Sequence, residues 1–218
     1  MYLSIIILSV LMMFFTCGCT QPRVDSPGSD IWKGKPHQVL TESEVKAEMA
    51  EKVKLVQEFL GNESLDGMLL TQVRNVNWIT AGVANTQIVL NKDVGAASLL
   101  IKRDGTKFLI CNGSEADRML DESLRQYGYQ LKTYKWFEAN PVKDTRGDII
   151  NGVEGKTGSD IAFPGTIVVA DNFKRLRFSL TDSEIKRYRW LGKETTEAVS
   201  DVCRKVQVGM DEFEIEAM

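Results

Sequence analysis

The sequence has one histidine, His37, in 218 residues. Histidine is the usual general base near neutral pH and the commonest metal ligand, so a serine triad has no base within the body of the chain. His37 lies beside Pro36 in a polar segment, which favours a solvated linker residue over a ligand. The G-x-S-x-G elbow, the phosphate-binding loop and the G-x-G-x-x-G motif are also missing. The residues therefore point to none of these catalytic classes.

An excess of basic residues and a cysteine framework are missing as well. Lys and Arg number 27 against 30 Asp and Glu, for a net charge of −3, and this balance offers no basic patch for a nucleic-acid partner. Cys111 on a predicted strand and Cys203 on a predicted helix are expected to be buried thiols rather than a disulfide pair. A zinc site is excluded because no C-x-x-C motif or histidine cluster accompanies them.

A long apolar run occupies residues 1–19, and Tyr2 to Gly18 carry no charge. Such a run is typical of a secretion signal or a short membrane anchor. Gly18-Cys19, followed by polar residues, resembles a lipoprotein cleavage site with Cys19 as the lipidated residue. We therefore expect an exported protein, anchored through lipid to a membrane of the bacterial cell envelope. An uncleaved anchor and a soluble secreted form are the alternatives.

Residues 20–40 are rich in proline, glycine and charge, which predicts a flexible tether. A folded domain is expected over residues 41–179. It opens with a capping box, Thr41 and Glu44, and apolar residues then recur at the spacing of one helix face. That predicted stripe consists of Val45, Met49, Val53, Val56 and Leu60.

The rest of the domain alternates between strand and helix patterns. The predicted strands are Leu65–Thr71, Thr86–Leu90, Ala96–Lys102, Lys107–Cys111, Tyr129–Tyr134 and Thr166–Ala170, with a turn or short strand over Gly155–Asp160. The predicted helices are Ser114–Gln126 and Val142–Val153. Asp104-Gly105 is a typical hairpin turn. The order predicts an α/β domain with a mixed β-sheet flanked by helices.

A long amphipathic helix is predicted after this domain, starting at the capping box of Thr181 and Glu184. Gly209 is expected to end it, and Asp211 with Glu214 to cap a second helix that has barely begun at Met218. We therefore expect a further domain to be missing. Its absence predicts exposed apolar surface around Leu191, Ala198 and Val202.

Two segments are candidates for binding. Residues 74–83 are predicted to be a turn, in which Trp78 either plugs the core or forms a binding surface; the residues alone favour the core. On the predicted helix after Ser114, Asp117 and Asp121 lie one turn apart and could share a cation. A solvated helix face carrying an Asp121–Arg125 pair is favoured.

Three segments resemble a known family. Asn77-Trp78-Ile79-Thr80-Ala81-Gly82 is similar to an N-x-x-Y-L-T-G segment, and residues 181–199 resemble a K-(T/S)-x-x-E-I-x-x-(L/Y/M)-R-x-A helix. Residues 208–212 are similar to a P-G-x-(T/S)-E turn. These segments belong to the N-terminal domain and linker helix of the creatinase, prolidase and aminopeptidase P family of M24 metallopeptidases. The resemblance runs from Thr41 to the end of the chain.

The resemblance implies a ribonuclease-H-like N-terminal domain, followed over residues 180–218 by the linker helix and the start of a truncated "pita-bread" catalytic domain. In the family, two Asp, two Glu and one His of that later domain bind two divalent metals, Mn or Zn, so this chain holds no catalytic residue or metal ligand and is expected to be inactive alone. The N-terminal domain supports homo-oligomers and shapes a neighbouring active site, with Trp78, Thr80 and Gly82 as the substrate-approach loop. The alternatives are a stand-alone surface binding module of the same fold and creatinase-like C–N hydrolysis.

Overall fold

The computed structural model describes residues 40–88, 92–137, 145–152 and 154–218. The expected signal segment 1–19 with Cys19, His37 and nearly all of the tether lie outside the described residues. The chain divides into two compact units. Residues 40–200 are the described part of one unit, and residues 201–218 are the described part of the other.

The larger unit is built on one mixed sheet of six strands in the order β4-β3-β2-β1-β5-β6. The strands are β1 (Gly67–Gln72), β2 (Val94–Lys102), β3 (Lys107–Asn112), β4 (Tyr129–Tyr134), β5 (Thr157–Ser159) and β6 (Ile167–Val168). The β1–β2 and β2–β3 pairs are antiparallel, and the other neighbouring pairs are parallel. The predicted α/β class with a mixed sheet is confirmed.

Helices flank this sheet and follow it. They are α1 (Glu42–Asn62), α2 (Val73–Ile79), α3 (Ala116–Met119), α4 (Thr145–Asn151), α5 (Ala170–Phe173), α6 (Asp182–Lys205) and α7 (Glu212–Glu216). After α3 the chain continues through a π turn, Leu120–Leu124, and a 3-10 turn, Arg125–Tyr127; after α5 it continues as a 3-10 turn, Lys174–Arg177. Among the described helices, none has the length and apolarity that a membrane span requires.

Capping boxes start the two long helices, as predicted. At α1, the Glu44 amide donates to Thr41 Oγ1 at 3.2 Å, and the Thr41 amide donates to Glu44 Oε2 at 2.7 Å. At α6, the Glu184 amide donates to Thr181 Oγ1 at 3.2 Å, and the Thr181 amide donates to Glu184 Oε2 at 2.8 Å. Each box satisfies amides that the first helical turn leaves without an acceptor.

The core has two parts, one on each face of the sheet. Helix α1 supplies Met49, Val56 and Leu60 to the larger part. The smaller part joins Ile150 of α4 to side chains of β1, β2 and β3. The predicted stripe of α1 is confirmed, since four of its five residues are buried and Val45 is partly buried against the core.

The predicted turn over residues 74–83 is wrong, because the chain forms helix α2 there before turning at Ala81 and Gly82. Apolar residues at a spacing of three, Val73, Val76 and Ile79, are buried by this helix. The helix starts beside Asp160, whose carboxylate accepts from the Thr71 and Gln72 amides at 2.9 Å each. An acceptor so far along the chain leaves no local trace in the sequence.

Other element boundaries also changed. Residues 86–88 of the predicted strand Thr86–Leu90 are not in a strand, and residues 89–91 lie outside the described part of the chain. Strand β6 has two residues rather than five, because Val169 already leads into α5. The helix predicted over Val142–Val153 is observed from Thr145 to Asn151, and residues 142–144 and 153 lie outside the described part of the chain.

Residues 201–218 form the small unit's described part. Lys205 Nζ pairs with Asp201 Oδ2 at 2.6 Å in the last turn of α6. Gly209 then adopts a left-handed φ of 100°, and the Glu214 amide donates to Asp211 Oδ1 at 2.9 Å. Helix α6 ends at Lys205, four residues before Gly209, so the predicted stop at this glycine is wrong, whereas the predicted cap of a second helix, α7, is confirmed.

The two cysteines of the described region are free. Cys111 is fully buried in β3, as predicted, whereas Cys203 is exposed and its predicted burial is wrong. Its position on α6 suggested a packed face, but that part of the helix is exposed to solvent.

Alkylation should separate these two thiols. Burial raises the pKa of Cys111 to about 11. The thiolate that reacts with iodoacetamide is therefore scarce at Cys111 when the assay is run at about pH 8. We expect mass spectrometry to find peptides with alkylated Cys203 within minutes, and alkylated Cys111 only after denaturation. Equal labelling rates of the two thiols in the native protein would contradict the buried position of Cys111.

Candidate functional site

A groove of about 670 Å³ lies beside the N-terminal half of α6. Helix α2 contributes Asn77 and Trp78 to its lining, and the turn after α2 contributes Ala81 and Gly82. The opposite side includes Tyr188 of α6 together with its neighbours along that helix. The groove is also lined by four cationic side chains, Lys52, Arg74, Arg177 and Arg187. Aromatic and cationic side chains therefore line one cavity of ligand size.

The predicted approach residues fall into two groups. Trp78 and Gly82 line the groove, whereas Thr80 is fully buried and does not line it. The Thr80 hydroxyl donates to the Val76 carbonyl at 2.7 Å, which fixes the end of α2. Thr80 can therefore shape the groove only through the backbone.

The turn at the groove wall has left-handed backbone at two successive residues, Ala81 with φ 53° and Gly82 with φ 81°. The Ala81 amide donates to the Trp78 carbonyl at 3.2 Å, and the Gly82 amide donates to the Asn77 carbonyl at 2.8 Å. This is a typical way to end a helix, and glycine favours it because it has no Cβ.

Trp78 is a wall of the groove and part of the core at once. Only 9% of it is exposed, and its ring meets Phe173 edge-on with 5.9 Å between centroids. Lys52 Nζ lies 5.3 Å from the centroid of the indole ring, in a cation–π arrangement. Trp78 is therefore part of the core, as the residues alone favoured, and it also lines the groove.

Below the groove, four charged side chains form a compact ion cluster. Lys52 Nζ donates to Glu48 Oε1 at 2.6 Å, to Glu184 Oε1 at 2.8 Å and to the Trp78 carbonyl at 2.8 Å. Arg187 holds Glu48 with two hydrogen bonds of 2.6 Å. Lys52 and Glu48 are almost completely buried, and the two cations balance the two carboxylates. The cluster ties α6 to α1 and to the end of α2.

Sequence reasoning missed this cluster. Glu184 was recognised only as a cap, and Glu48 with Lys52 was overlooked. A signal was present, since Glu48 and Lys52 are one turn apart and flank the apolar positions Met49 and Val53. An i, i+4 pair beside a core stripe lies on or near the buried face.

The pKa of Glu184 is lowered in this cluster. Burial acts to raise its pKa, but the Lys52 ammonium and the Thr181 amide and hydroxyl outweigh burial and hold the pKa below 4.5. A carboxylate with a lowered pKa stabilises the fold above its unfolded-state pKa, and that contribution is lost as the pH falls through the folded-state pKa.

Glu184→Gln should therefore lose stability in a pH-dependent way. We expect the variant to be less stable than wild type at pH 7, with the difference in unfolding free energy shrinking as the pH falls below the ordinary glutamate pKa of 4.5 and through the lowered pKa of Glu184. Urea unfolding at several pH values measures this. Glu197→Gln is the control, because Glu197 is 63% exposed and its ion pair with Lys193 is 3.8 Å long. A difference that stays constant with pH would contradict the charged role of Glu184.

Two further arginines, Arg74 and Arg177, line the groove. Arg74 pairs with Asp93 at 3.1 Å. Arg177 forms no ion pair among the described residues, and its buried Nε has no hydrogen-bond partner there. Burial lowers the pKa of Arg177, with Arg74 as the second cause, while Asp160 and Asp93 act in the opposite direction.

The structure offers no metal-ligand set in the part of the chain it describes. No group of three or more His, Cys, Asp or Glu side chains there is close enough to hold an ion. The Asp121 carboxylate accepts from Arg125 Nε at 2.8 Å on an exposed helix face, which confirms the predicted pair.

Comparison with known proteins gives structural matches only. No protein-family model and no curated protein matches the sequence. Among solved structures, an Xaa-Pro dipeptidase from Bacillus anthracis matches 77% of the chain with a TM-score of 0.54 and 17% identity. The prolidase of Pyrococcus horikoshii matches 77% with a TM-score of 0.54 and 20% identity. The X-Pro aminopeptidase of Thermotoga maritima matches 76% with a TM-score of 0.55 and 14% identity.

The chain shares its fold with part of these Xaa-Pro peptidases. It covers 46% of the length of each of the three, so it spans less than half of these enzymes. The fold that the resemblance implied is thus confirmed. Identities of 14–20% carry the fold and not the activity.

Proposed function

We propose that the chain is the N-terminal, non-catalytic portion of an exported M24 metallopeptidase of the Xaa-Pro aminopeptidase or prolidase type. The supporting observation is the fold that it shares with less than half the length of three Xaa-Pro peptidases. The resemblance of α6 to the family's linker helix agrees with it. In this proposal residues 41–179 are the N-terminal domain and residues 180–218 lead into the catalytic domain.

Helix α6 would hold the catalytic domain in place. Its first turns are fixed to α1 by the ion cluster, while its outer face carries apolar side chains without cover: Tyr188 is 62% exposed, Leu191 is 51% exposed and Val199 is 57% exposed. The predicted exposure is confirmed for Leu191 and for Ala198, and Val202 is half-buried. A row of large exposed apolar residues usually marks a contact surface. We propose that the catalytic domain covers it.

The full-length protein is proposed to form homo-oligomers, in which this domain shapes the substrate site of a neighbouring subunit. Trp78 and Gly82, which line the groove, are the residues that we propose for this contact with the neighbouring substrate site. Two divalent ions, Mn or Zn, would belong to the catalytic domain. Lipid on Cys19 would anchor the protein to a membrane of the bacterial cell envelope.

The test of this proposal is to read the coding sequence beyond Met218. We expect an in-frame continuation that encodes further Asp, His and Glu residues able to act as metal ligands. A stop codon directly after Met218 would contradict the proposal and favour the stand-alone surface binding module.

The anchor has its own test. Cys19→Ala should release the protein from the membrane fraction and remove the mass of the lipid from the N-terminal peptide. Cys203→Ala is the matched control and should leave both unchanged. Membrane association and mass that are the same in Cys19→Ala and wild type would contradict lipidation.

A further inference from the structure

The groove beside α6 has one cation that forms no ion pair among the described residues. Lys52 has three acceptors, Arg187 is held by both oxygens of Glu48, and Arg74 is paired with Asp93. Arg177 is different. It lines the same groove, it forms no ion pair among the described residues, and its Nε is buried without a hydrogen-bond partner there.

The two carboxylates that act on the Arg177 charge, Asp160 and Asp93, already accept hydrogen bonds from other groups. Asp160 accepts from the Thr71 and Gln72 amides and from Asn75 Nδ2 at 2.8 Å. Asp93 is engaged with Arg74. A buried donor without an acceptor is unfavourable, and such donors in native proteins usually meet a partner. The two Nη groups of Arg177 also make no hydrogen bond to a described residue and are not buried, so a bound molecule can supply acceptors to them.

The chemistry of the groove selects the kind of anion. A guanidinium presents its N–H groups as a planar fork, which matches the two oxygens of a carboxylate. A single cation without an ion pair suits a monoanion better than a doubly charged phosphate. A phosphate would also be repelled more strongly by the carboxylate of Glu184, which lines the same groove.

The remaining lining selects the body of the molecule. Trp78, Trp190 and Leu180 supply aromatic and aliphatic surface to the groove. A volume of about 670 Å³ is in the range of small-molecule sites. We propose that this groove binds the carboxylate of an apolar organic acid, with Arg177 as the carboxylate-binding residue. Such a carboxylate occurs both in a free acid and at the C-terminus of a peptide.

Calorimetric titration of the full chain tests the proposal. The probes are 3-phenylpropionate and its neutral counterpart, 3-phenylpropanamide, which differ only in the group that Arg177 would bind. We expect the acid to bind about 10-fold more tightly than the amide or better, since hydrogen bonds to a charged group are worth this much. Arg177→Gln should abolish the difference. Arg175→Gln should keep it, because Arg175 is exposed and does not line the groove.

Further arms separate the sources and guard against misfolding. N-acetyl-Ala-Phe with a free C-terminus, compared with its amide, shows whether a peptide carboxylate binds more tightly than the free acid. If Arg177→Gln does not fold, Arg177→Lys keeps the charge without the fork and should weaken binding of the acid. Equal binding of acid and amide to the wild-type protein, no binding of either at millimolar concentration, or tighter binding of inorganic phosphate would overturn the proposal.

Discussion

Lys52→Met is expected to lower the free energy of unfolding by about 3–5 kcal/mol. Lys52 is fully buried, and its ammonium is the link between Glu48 and Glu184. Methionine fills a similar volume but leaves Glu184 as a largely buried carboxylate without its cation, whereas Glu48 still has Arg187. Urea unfolding followed by circular dichroism gives the difference.

Two comparisons make the Lys52 result specific. Lys186→Met removes a pair with Glu44 in which both side chains are partly exposed, and exposed pairs contribute about 0–1 kcal/mol. The double variant Lys52→Met with Glu184→Gln should lose less stability than the two single variants added together, because both act on one ion pair. A loss below about 1 kcal/mol for Lys52→Met would show that the buried cluster is not formed as described.

Phe173→Ala should destabilise the domain by about 3–5 kcal/mol, the usual cost of removing a buried aromatic side chain. Phe173 is fully buried and meets the rings of Phe59 and Trp78 edge-on, at 5.5 Å and 5.9 Å between centroids. Through its contact with Trp78, Phe173 packs helix α5 against a side chain that lines the groove. Thermal and urea unfolding measure the loss.

The control for Phe173 is a neighbour of the same type. Phe173 and Phe178 lie on either side of the 3-10 turn Lys174–Arg177. Phe178 is 72% exposed, so Phe178→Ala should change the free energy of unfolding by less than about 0.5 kcal/mol. Similar losses in the two variants would contradict the placement of Phe173 in the core.

Local patterns were enough for the elements that carry their own start, stop and face. Strand β4 was predicted with its observed bounds, and α1 and α6 were predicted from their capping boxes. These features depend on residues within a few positions of each other, so a single sequence contains them. The hairpin of β2 and β3 at Asp104-Gly105 belongs to the same class.

The features that were missed depend on contacts between distant parts of the chain. Helix α2 begins where Asp160 meets the end of β1. Strand β6 ends at Val168, before the chain enters α5, which carries Phe173 into the core. The candidate site follows the same rule. Trp78 could be singled out by type, whereas the isolation of Arg177 becomes visible only when the partners of the other groove cations are known.

We propose that this chain is the non-catalytic portion of an Xaa-Pro metallopeptidase. The most direct measurement is an assay of the purified chain against Xaa-Pro peptides with added manganese or zinc, with and without a chelator. We expect no metal-dependent hydrolysis by the chain alone. Turnover that depends on the metal and disappears with the chelator would contradict it.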